Sequence, residues 1–306
     1  MSFQEPLVYV LLVNWNTVRH TIACLTSLQH VSYPNYRVLV IDNASWDDSV
    51  DAIARAHPHV PIVRNCRNMG FTGANNVGFE HALRAGADFV YLLNTDTRVA
   101  ENFLSEAVRT STSDTSIGVV GSKVLHADRP DRIQFAGAQV NLITGYSGRP
   151  LGYNQLDQGQ YDSITDVDRV TGCAMLVSRA CLEATEGFDD AFFAFHEDVD
   201  LCLRAHGAGF RVVMSPQSRI WHEGGGSTNG AVSSAHMYYD VRNGLRLAEK
   251  HRPVRNRVLS ALRAGCIIAT HGLQLALNHP TYAATQAIIA GVRDYRRGLT
   301  GDRPCR

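Results

Sequence analysis

Polar and aromatic residues follow three apolar stretches within the first hundred residues of this 306-residue chain. The stretches are residues 7–13, 36–41 and 89–93, and the residues behind them are Asn14, Trp15 and Asn16, then Asp42, and then Asn94, Thr95 and Asp96. A carboxylate behind a buried strand can accept hydrogen bonds from a nucleoside, or bind a divalent cation together with substrate phosphates. Asp42 and Asp96 are therefore candidate ligand-binding residues. The alternative for each is a capping role in a turn or at a helix start.

The elements that must position these residues alternate between strand and helix signals. Helices are predicted over residues 17–30, 49–56 and 73–85, and an additional strand over residues 60–63. Helices of this length between strands imply right-handed crossovers and a mostly parallel sheet. Because ligands bind beyond the carboxyl ends of such strands, the three groups of residues are expected at one edge of the sheet.

The rest of the chain adds strands, a long loop and a helical C-terminal part. Strands are predicted over residues 117–121, 170–177 and 211–214, a helix over 196–206, and a loop over the glycine-rich residues 141–166. Residues 224–235 indicate a boundary, and helices are predicted beyond it over residues 235–251, 254–277 and 281–295. We therefore expect an α/β domain over residues 1–228 and a helical, basic region over residues 229–306.

Composition and motifs exclude several classes of protein. The chain is 45% hydrophobic and 19% charged, as folded proteins are, and its 29 basic and 29 acidic residues argue against a nucleic-acid partner. The turn VNWNTV after the first strand lacks the glycines of a dinucleotide-binding motif, and the sequence contains no P-loop. Seven scattered cysteines without a CxxC pair favour neither a zinc site nor a disulfide framework. With no signal-peptide pattern at the N-terminus, we expect a reducing, cytoplasmic setting.

Seven segments resemble, in the same order, the family 2 glycosyltransferases of GT-A fold, particularly the branch that contains many bacterial rhamnosyltransferases. They are VLLVNWN (10–16), VIDNASWDDS (40–49), NMGFTGANNVGF (68–79), LLNTDT (92–97), TGCAMLVSR (171–179), FHEDVDLCLRAHGAGFRV (195–212) and WHEGGGS (221–227). The resemblance implies a Rossmann-like, mostly parallel central sheet flanked by helices. It also implies an inverting glycosyltransferase that moves a sugar, L-rhamnose in this branch, from a nucleoside diphosphate to a hydroxyl of a glycan or lipid-linked acceptor.

The resemblance further implies a donor site and a metal site. The donor-site positions are occupied by Asn14, Trp15, Asn16, Asp42, Asn68, Gly70, Asn75, Asn76 and Asn94. Asn94-Thr95-Asp96 stands where the family has an Asp-x-Asp metal motif, and Asn94 brings no charge, so Asp96 is expected to carry most of the Mg²⁺ or Mn²⁺ binding. His222 matches a late metal ligand of the family. The glycines at 224–226 suit either a loop that closes over the donor or a hinge.

The same comparison assigns the acceptor side. Asp198 occupies the position of the base in related enzymes, and Glu197 is expected to contact the acceptor or orient the site. Inverting transfer needs a carboxylate that takes the proton of the acceptor hydroxyl. The alternative for both residues is favourable charge at a helix N-terminus. Gly172 and Cys173 fit the strand beneath the acceptor pocket, and Cys173 lacks the paired base that a nucleophile requires.

Two features have simpler explanations. Asp200 and Arg204, four residues apart on the predicted helix, are expected to form a surface ion pair. Trp221 is expected in the core.

The neutral total charge hides a division of the chain. Residues 226–306 carry a net charge of +8 and residues 1–225 a net charge of −8. Within 242–277, an apolar stretch too short to span a bilayer is flanked by Arg242, Arg246, Arg252, Arg255, Arg257 and Arg263. This pattern predicts a surface for anionic lipid or a lipid-diphosphate acceptor, at the inner face of the membrane. The alternative is a solvated basic face on a helical or dimerising cap.

Two further functions compete with transfer. A non-catalytic nucleotide-sugar or glycan-binding protein of the same fold is favoured only by Asn94. A sugar-phosphate nucleotidyltransferase needs a glycine-rich, basic phosphate loop after the first strand, which VNWNTV lacks.

Overall fold

The computed structural model describes residues 5–142, 148–224, 233–252, 254, 257–278 and 282–303. Within these residues the strands are β1 (Val8–Asn14), β2 (Tyr36–Asp42), β3 (Ile62–Arg64), β4 (Phe89–Leu93), β5 (Thr97–Val99), β6 (Ile117–His126), β7 (Ile133–Phe135), β8 (Thr165–Asp166), β9 (Ala174–Ser178) and β10 (Arg211–His222). The helices are α1 (Val18–Leu28), α2 (Ser49–Ala56), α3 (Gly70–Arg84), α4 (Phe103–Thr112), α5 (Arg179–Thr185), α6 (Glu197–Gly207), α7 (Ser234–His251), α8 (Arg257–Asn278) and α9 (Tyr282–Arg296).

The strands form a mixed sheet in the order β3-β2-β1-β4-β9-β6-β10-β5, with β7 on β6 and β8 on β10. The four strands β3, β2, β1 and β4 are parallel, as expected from their intervening helices. Strand β9 is antiparallel to both β4 and β6, and β10 runs parallel to β6. The α/β expectation is confirmed, with a parallel half that was predicted and an antiparallel insertion that was not.

The core lies on both faces of the central strands. Leu11, Leu39, Ile41 and Tyr91 are almost completely buried, because a parallel strand covered by helices on both faces needs apolar residues in succession. The Tyr91 ring packs edge-to-face on Phe103 of α4, with 5.1 Å between ring centroids. This packing fixes the strands whose carboxyl ends carry the candidate site.

Strands β6 and β10 are longer than the sequence predicted. β10 runs to His222, past a register shift between Ser215 and Arg219 that contains Pro216. A proline cannot donate to the ladder and interrupts the strand pattern in the sequence. The extension matters because it carries His222 to the sheet edge, where it lies opposite Thr97 of β5.

The segment 148–166, part of the predicted loop, is fastened to the sheet by a buried lysine. The Nζ atom of Lys123 on β6 lies 3.1 Å from Asp157 and 2.6 Å from Asp162, and the lysine side chain is about 1% exposed. A buried ammonium needs such compensation. The segment contains the short strand β8, and residues 143–147 of the predicted loop lie outside the described residues.

The C-terminal helices α7, α8 and α9 pack around a small apolar cluster of their own. Its buried members are Val241, Leu245, Ala248, Ile267, Ala284 and Ile288. The three helices match the predicted ones to within about three residues, while the expected boundary at 228 lies outside the described residues. No described helix is long and apolar enough to cross a bilayer.

Candidate active site

Asn14 and Asp42 meet where β1 and β2 end, because the parallel register pairs them directly. The Nδ2 atom of Asn14 donates to Oδ1 of Asp42 (2.9 Å) and to Oγ of Ser45 (3.0 Å). The second oxygen of Asp42 accepts from the backbone N–H of Ser45 at 3.2 Å. Both side chains are buried. Asp42 therefore has the turn-stabilising role that was its alternative, and it also lines the cleft described next.

An open cleft of about 320 Å³ lies beyond β2 and β3. It is lined by Asp42, Ala44, Ser45, Asp47, Asp48, Val50, Asp51, Arg64 and Asn65. Near it, Trp15 and Trp46 pack edge-to-face at 5.5 Å and are 40% and 77% exposed. Asn16 adopts a positive φ of 55°, and its Oδ1 accepts from the backbone N–H of Trp46. Two tryptophans in contact with solvent give this edge aromatic faces on which a base can stack.

Asn68 and Gly70 shape the start of α3. Oδ1 of Asn68 accepts from the backbone N–H of Gly70 (2.8 Å) and from Nδ2 of Asn43 (2.9 Å). Gly70 has a φ of +72°, and a Cβ atom there would lie 2.4 Å from the carbonyl oxygen of Phe193. Only glycine fits such a close approach in the left-handed region. Asn43, which follows Asp42 in the sequence, joins both residues to the end of β2.

Asn75 and Asn76 are engaged inside the fold. Nδ2 of Asn75 donates to the carbonyl oxygen of Phe71 at 2.8 Å. Asn76 donates to the carbonyl oxygen of Phe188 and to Asp190, and accepts from the N–H of Phe188, all at 2.9 Å. Neither lines the cleft beside Asp42. These bonds give Asn76 the task of tying the segment before α6 to α3.

Asp96 and His222 lie together between β4 and the end of β10. Nε2 of His222 is 3.1 Å from Oδ1 of Asp96, and Nδ1 is 2.6 Å from Oε1 of Gln134 on β7. A strand, β5, follows Asp96, and the next helix begins only at Phe103. The helix-capping alternative for Asp96 is therefore wrong.

This pair suits a divalent cation. A carbonyl oxygen only accepts, so Nδ1 of His222 donates to Gln134, and Nε2 is the ring nitrogen that faces Asp96. An imidazole nitrogen and a carboxylate oxygen 3.1 Å apart can share a proton or a cation. Adjacent ligands of an octahedral Mg²⁺, each about 2.1 Å from the ion, lie about 3 Å apart. Within the described residues no group of three or more metal-binding side chains occurs, so Asp96 and His222 alone would not complete the coordination of an ion.

Glu197 and Asp198 open helix α6. Oδ2 of Asp198 accepts from the N–H of Gly172 (3.0 Å) and Oδ1 from the N–H of Val199 (2.7 Å). Burial, and then the negative charge of Asp198, hold the pKa of Glu197 well above its ordinary value of 4.5. The Oε2 atom of Glu197 has no hydrogen-bond partner among the described residues. Asp198, in contrast, accepts a backbone hydrogen bond with each of its two oxygens.

Gly172 and Cys173 lie in a turn just before β9, and not in the strand where they were expected. The backbone N–H of Asn94 donates to the carbonyl oxygen of Cys173 at 3.0 Å, while the N–H of Gly172 donates to Asp198. Burial raises the pKa of the Cys173 thiol to about 12, and the charges of Asp96 and Asp198 add to the increase. The thiol stays protonated, which agrees with its exclusion as a nucleophile.

Two charged groups lie elsewhere than the sequence suggested. Asp200 is completely buried and is bound by Arg204 (2.7 Å), Lys250 (2.8 Å) and His251 (2.7 Å). It is not a surface residue, because α7 covers this face of α6. Arg242, expected on a lipid-facing surface, is also completely buried. The prediction that Arg242 belongs to a basic surface is therefore wrong. Trp221, which was expected in the core, is only partly buried.

The turn before α6 has an unusual backbone. Phe193, Phe195 and His196 have φ angles of 66°, 67° and 70°. Such conformations cost about 1–3 kcal/mol each in residues that carry a side chain, and they persist only where surrounding contacts hold them. Asn243 of α7 supplies such contacts, donating to the carbonyl oxygens of Phe192, Ala194 and Phe195.

Sequence reasoning missed Trp46, Gln134 and Asn243. A bulky aromatic residue inside the polar turn DNASWDDS was the one available signal, and it pointed to Trp46. The other two belong to elements whose neighbours are distant in sequence, so their contacts follow only from the tertiary fold.

Comparison with known proteins gives the family. The family described as glycosyltransferase like family 2 matches residues 6–237. The chain is 24% identical to the dTDP-rhamnosyl transferase RfbF of Shigella flexneri, over 96% of this chain and 97% of that protein. It is 25% identical to the N-acetylglucosaminyl-diphospho-decaprenol L-rhamnosyltransferase of Mycobacterium tuberculosis, over 79% of this chain and 84% of that protein.

Other matches are partial or structural. The chain spans only 23% and 20% of the length of the first two curated relatives that it matches. The mannosyltransferase PcManGT of Pyrobaculum calidifontis, solved with GDP-Man and Mn²⁺, superposes with a TM-score of 0.60 at 16% identity, over 97% of this chain and 84% of that one. This likeness confirms the GT-A fold. Because the family match extends over most of the chain, the protein belongs to glycosyltransferase like family 2.

Proposed function

We propose that this protein is an inverting, metal-dependent glycosyltransferase that moves a sugar from a nucleoside diphosphate donor to an acceptor hydroxyl. The observation that carries the proposal is the segment Gly172–Cys173, which is hydrogen-bonded to Asn94 on one side and to Asp198 on the other. It brings a cation-binding pair and a proton-accepting carboxylate to one sheet edge. An inverting transfer needs both of these within reach of one anomeric carbon.

The transfer uses the two acidic residues differently. Asp198 takes the proton of the acceptor hydroxyl, and the oxygen attacks the anomeric carbon from the face opposite the leaving group. The bond from that carbon to the diphosphate oxygen breaks, and the nucleoside diphosphate departs with the bonding electrons. Glu197, whose pKa is raised by burial and by the charge of Asp198, contacts the acceptor and helps to orient it.

The donor side binds the nucleotide and its phosphates. Asp42, Trp15 and Asn16 hold the nucleoside at the cleft beyond β2. Asp96 and His222 would hold Mg²⁺ or Mn²⁺, and the ion would neutralise charge on the leaving diphosphate.

The relatives' names support a sugar and an acceptor class. RfbF is named a dTDP-rhamnosyl transferase, and the mycobacterial relative is named for an N-acetylglucosaminyl-diphospho-decaprenol acceptor. We therefore favour dTDP-L-rhamnose as donor and a lipid-linked or other glycan hydroxyl as acceptor, in polysaccharide biosynthesis.

Helix α8 supports a peripheral membrane location for this reaction, at the cytoplasmic face. Val258, Leu259, Leu262 and Leu273 each expose more than half of their surface, and Gly265, Cys266, Ala269 and Gly272 are exposed between them. This stripe is uncharged over four helical turns, while Arg252 just before it is exposed. An apolar face beside cationic residues suits the interface of an anionic bilayer.

Liposome co-sedimentation tests this location. The full chain is expected to bind phosphatidylglycerol vesicles and to release them at high salt, and the double change Leu259→Glu with Leu262→Glu should abolish binding. Unchanged binding by the double variant would overturn the α8 assignment. Loss of a dimer in the double variant, without any lipid binding by the native chain, would instead assign the stripe to a second copy.

A donor screen tests the function itself. The chain is incubated with Mn²⁺ and dTDP-L-rhamnose, UDP-N-acetylglucosamine or GDP-mannose, and NMR follows nucleotide release and the anomer of the sugar product. We expect turnover with dTDP-L-rhamnose, an inverted anomer, and suppression by EDTA. Donor binding without hydrolysis or transfer for every sugar would favour the non-catalytic alternative, which Asn94 in place of an acidic residue supports.

A further inference from the structure

Helix α7 holds the backbone of the turn that leads into Glu197 and Asp198. Nδ2 of Asn243 lies 2.7–2.8 Å from the carbonyl oxygens of Phe192, Ala194 and Phe195. Asn243 is completely buried, and its Oδ1 accepts from Nε of Arg242 at 2.9 Å. The two N–H bonds of one amide side chain are therefore shared among three backbone carbonyl groups that lie outside any helix or strand.

The guanidinium of Arg242 reinforces this arrangement. It donates to the carbonyl oxygens of Phe192 (2.8 Å), Ala191 (3.3 Å) and Gly301 (2.6 Å). The burial of Arg242, unexpected from the sequence, follows from these bonds, since a buried guanidinium must be surrounded by acceptors.

Asp240, one helical turn before Asn243, contacts the same turn. Its Oδ1 lies 2.9 Å from Nε2 of His196, the residue at the N-cap position of α6. His196 is buried and has a left-handed backbone, and the next residue is Glu197. Residues three apart on a helix share a face, so Asp240 and Asn243 present one surface to the turn.

The turn before α6 needs stabilising contacts because several of its residues have left-handed backbone conformations. A bulky side chain at positive φ is disfavoured, and three such residues within four positions persist only where contacts over-determine them. The contacts come from α7, beyond residue 237, where the family match ends. The direction in which Glu197 and Asp198 leave the turn is set by the backbone that these contacts hold.

We propose that Asn243 and Asp240 are positioning residues for the two acceptor-side carboxylates, so that α7 is a working part of the active site. The inference rests on the proposed function, because it takes Glu197 and Asp198 as the acceptor-side groups. Neither α7 residue touches the reacting atoms. Each acts by fixing the backbone from which those carboxylates project.

The test uses the full chain and five variants. Asn243→Ala removes the donor group, and Asn243→Asp keeps the size but turns a carboxylate towards three carbonyl oxygens. Asp240→Ala removes the acceptor of His196, and Asp240→Asn restores an oxygen at the same place. Glu249→Ala is the matched control, because Glu249 lies on α7 but binds Tyr295 of α9.

Three measurements separate positioning from general stability. We expect the Asn243 variants and Asp240→Ala to lower kcat by about 100-fold, since small misplacements of catalytic groups have effects of that size. The dissociation constant of the donor should stay within about twofold, because donor residues are on other elements. Hydrogen exchange should rise in residues 191–199 and stay unchanged in β1 and β4. Asp240→Asn should recover much of the activity lost in Asp240→Ala.

The outcomes are distinct. Unchanged exchange in residues 191–199 together with unchanged kcat would overturn the inference. So would a parallel loss of donor binding, Tm and activity, which would indicate a general structural role. If the Asn243 variants do not fold, the kcat values and exchange rates of Asp240→Ala and Asp240→Asn decide whether the inference holds. If the native chain turns over no donor, the proposed function fails, while the exchange data still report whether α7 holds the turn.

Discussion

The imidazole of His222 is held between Asp96 and Gln134, with Nε2 3.1 Å from the carboxylate and Nδ1 2.6 Å from the amide oxygen. The long strand β10 brings His222 opposite β5, and the short strand β7 brings Gln134 to its other side. The ring therefore has one orientation and one tautomer in which Nε2 faces the site. This is the arrangement that a metal-binding histidine generally requires.

Gln134→Leu should weaken Mn²⁺ binding by about 10–100-fold, the usual effect of removing the partner that orients a ligand. Electron paramagnetic resonance of free Mn²⁺ in the presence of a nucleoside diphosphate measures this without requiring turnover. Gln155→Leu, at an exposed position of the 148–166 segment, is the control. Equal Mn²⁺ affinity in the two variants would contradict the metal role of His222.

Asp198→Asn should lower the rate of sugar transfer by about 10²–10⁴-fold, the range expected for loss of a general base. Binding of the donor should be nearly unchanged, because the amide can still meet the N–H of Gly172. Transfer rates and calorimetric donor binding are the measurements, with the exposed Asp131→Asn as control. Native turnover in Asp198→Asn would remove this residue from the role of base.

Glu197→Gln should stabilise the fold at neutral pH. The pKa of Glu197 is raised in the folded chain from 4.5, so the native state keeps a proton that the unfolded chain loses as pH rises above that value. Stability therefore falls with increasing pH between 4.5 and the raised pKa. The glutamine does not titrate and avoids this loss, so the variant should be more stable than the native chain near pH 7.

Urea unfolding at pH 4 and pH 7 measures the effect of Glu197→Gln. The difference between variant and native chain should nearly vanish at pH 4, where both side chains are neutral. A difference that is the same at both pH values would show that titration of Glu197 is not its cause.

Asp200→Asn should destabilise the protein by about 3–5 kcal/mol, because it leaves Arg204 and Lys250 without their buried counter-charge. Burial alone would raise the pKa of Asp200, but the hydrogen bond from His251 and the charges of Arg204 and Lys250 lower it to about 2. Its contribution is therefore present above pH 3.8 and is lost as pH falls towards 2.

Urea unfolding at pH 7 and near pH 3 checks this prediction. The deficit of Asp200→Asn should be largest at pH 7 and smaller at the lower pH. Asp51→Asn, which removes an exposed pair with Arg64, should change stability by less than about 1 kcal/mol. A comparable loss in both variants would mean that burial is not what gives Asp200 its importance.

The parallel half of the fold was accessible from sequence because its signals are local. The strand 89–93 and the helix 49–56 were predicted with their observed bounds, and Asn14 and Asp42 were expected at the same sheet edge. Continuous apolar runs and polar strand ends carry that information within a few residues. The position of Asn14 and Asp42 at one sheet edge could therefore be predicted from the amino-acid sequence alone.

The full extent of β10 and the partners of Asp200 could not be predicted from the sequence, because both depend on tertiary contacts. The predicted strand 211–214 is the first third of β10, because Pro216 and the register shift that follows hide its continuation to His222. Asp200 looked like half of a surface pair, since its third and fourth neighbours on α6 are local while Lys250 and His251 are about fifty residues away. The dependence of the turn before Glu197 on Asn243 was not predicted for the same reason, since these residues are also distant from each other in the sequence.

The chain has only two lysines, Lys123 and Lys250, and the first is enclosed by Asp157 and Asp162 beneath the 148–166 segment. An ammonium that is buried and paired cannot reach an acylating reagent, whereas Lys250 is about one third exposed. Acetic anhydride should therefore modify Lys250 first, and label on Lys123 should accumulate only as often as the segment lifts from the sheet. The rate at which Lys123 is acetylated should therefore report how often that segment opens. Mass spectrometry of the single peptide that contains Lys123 measures this rate.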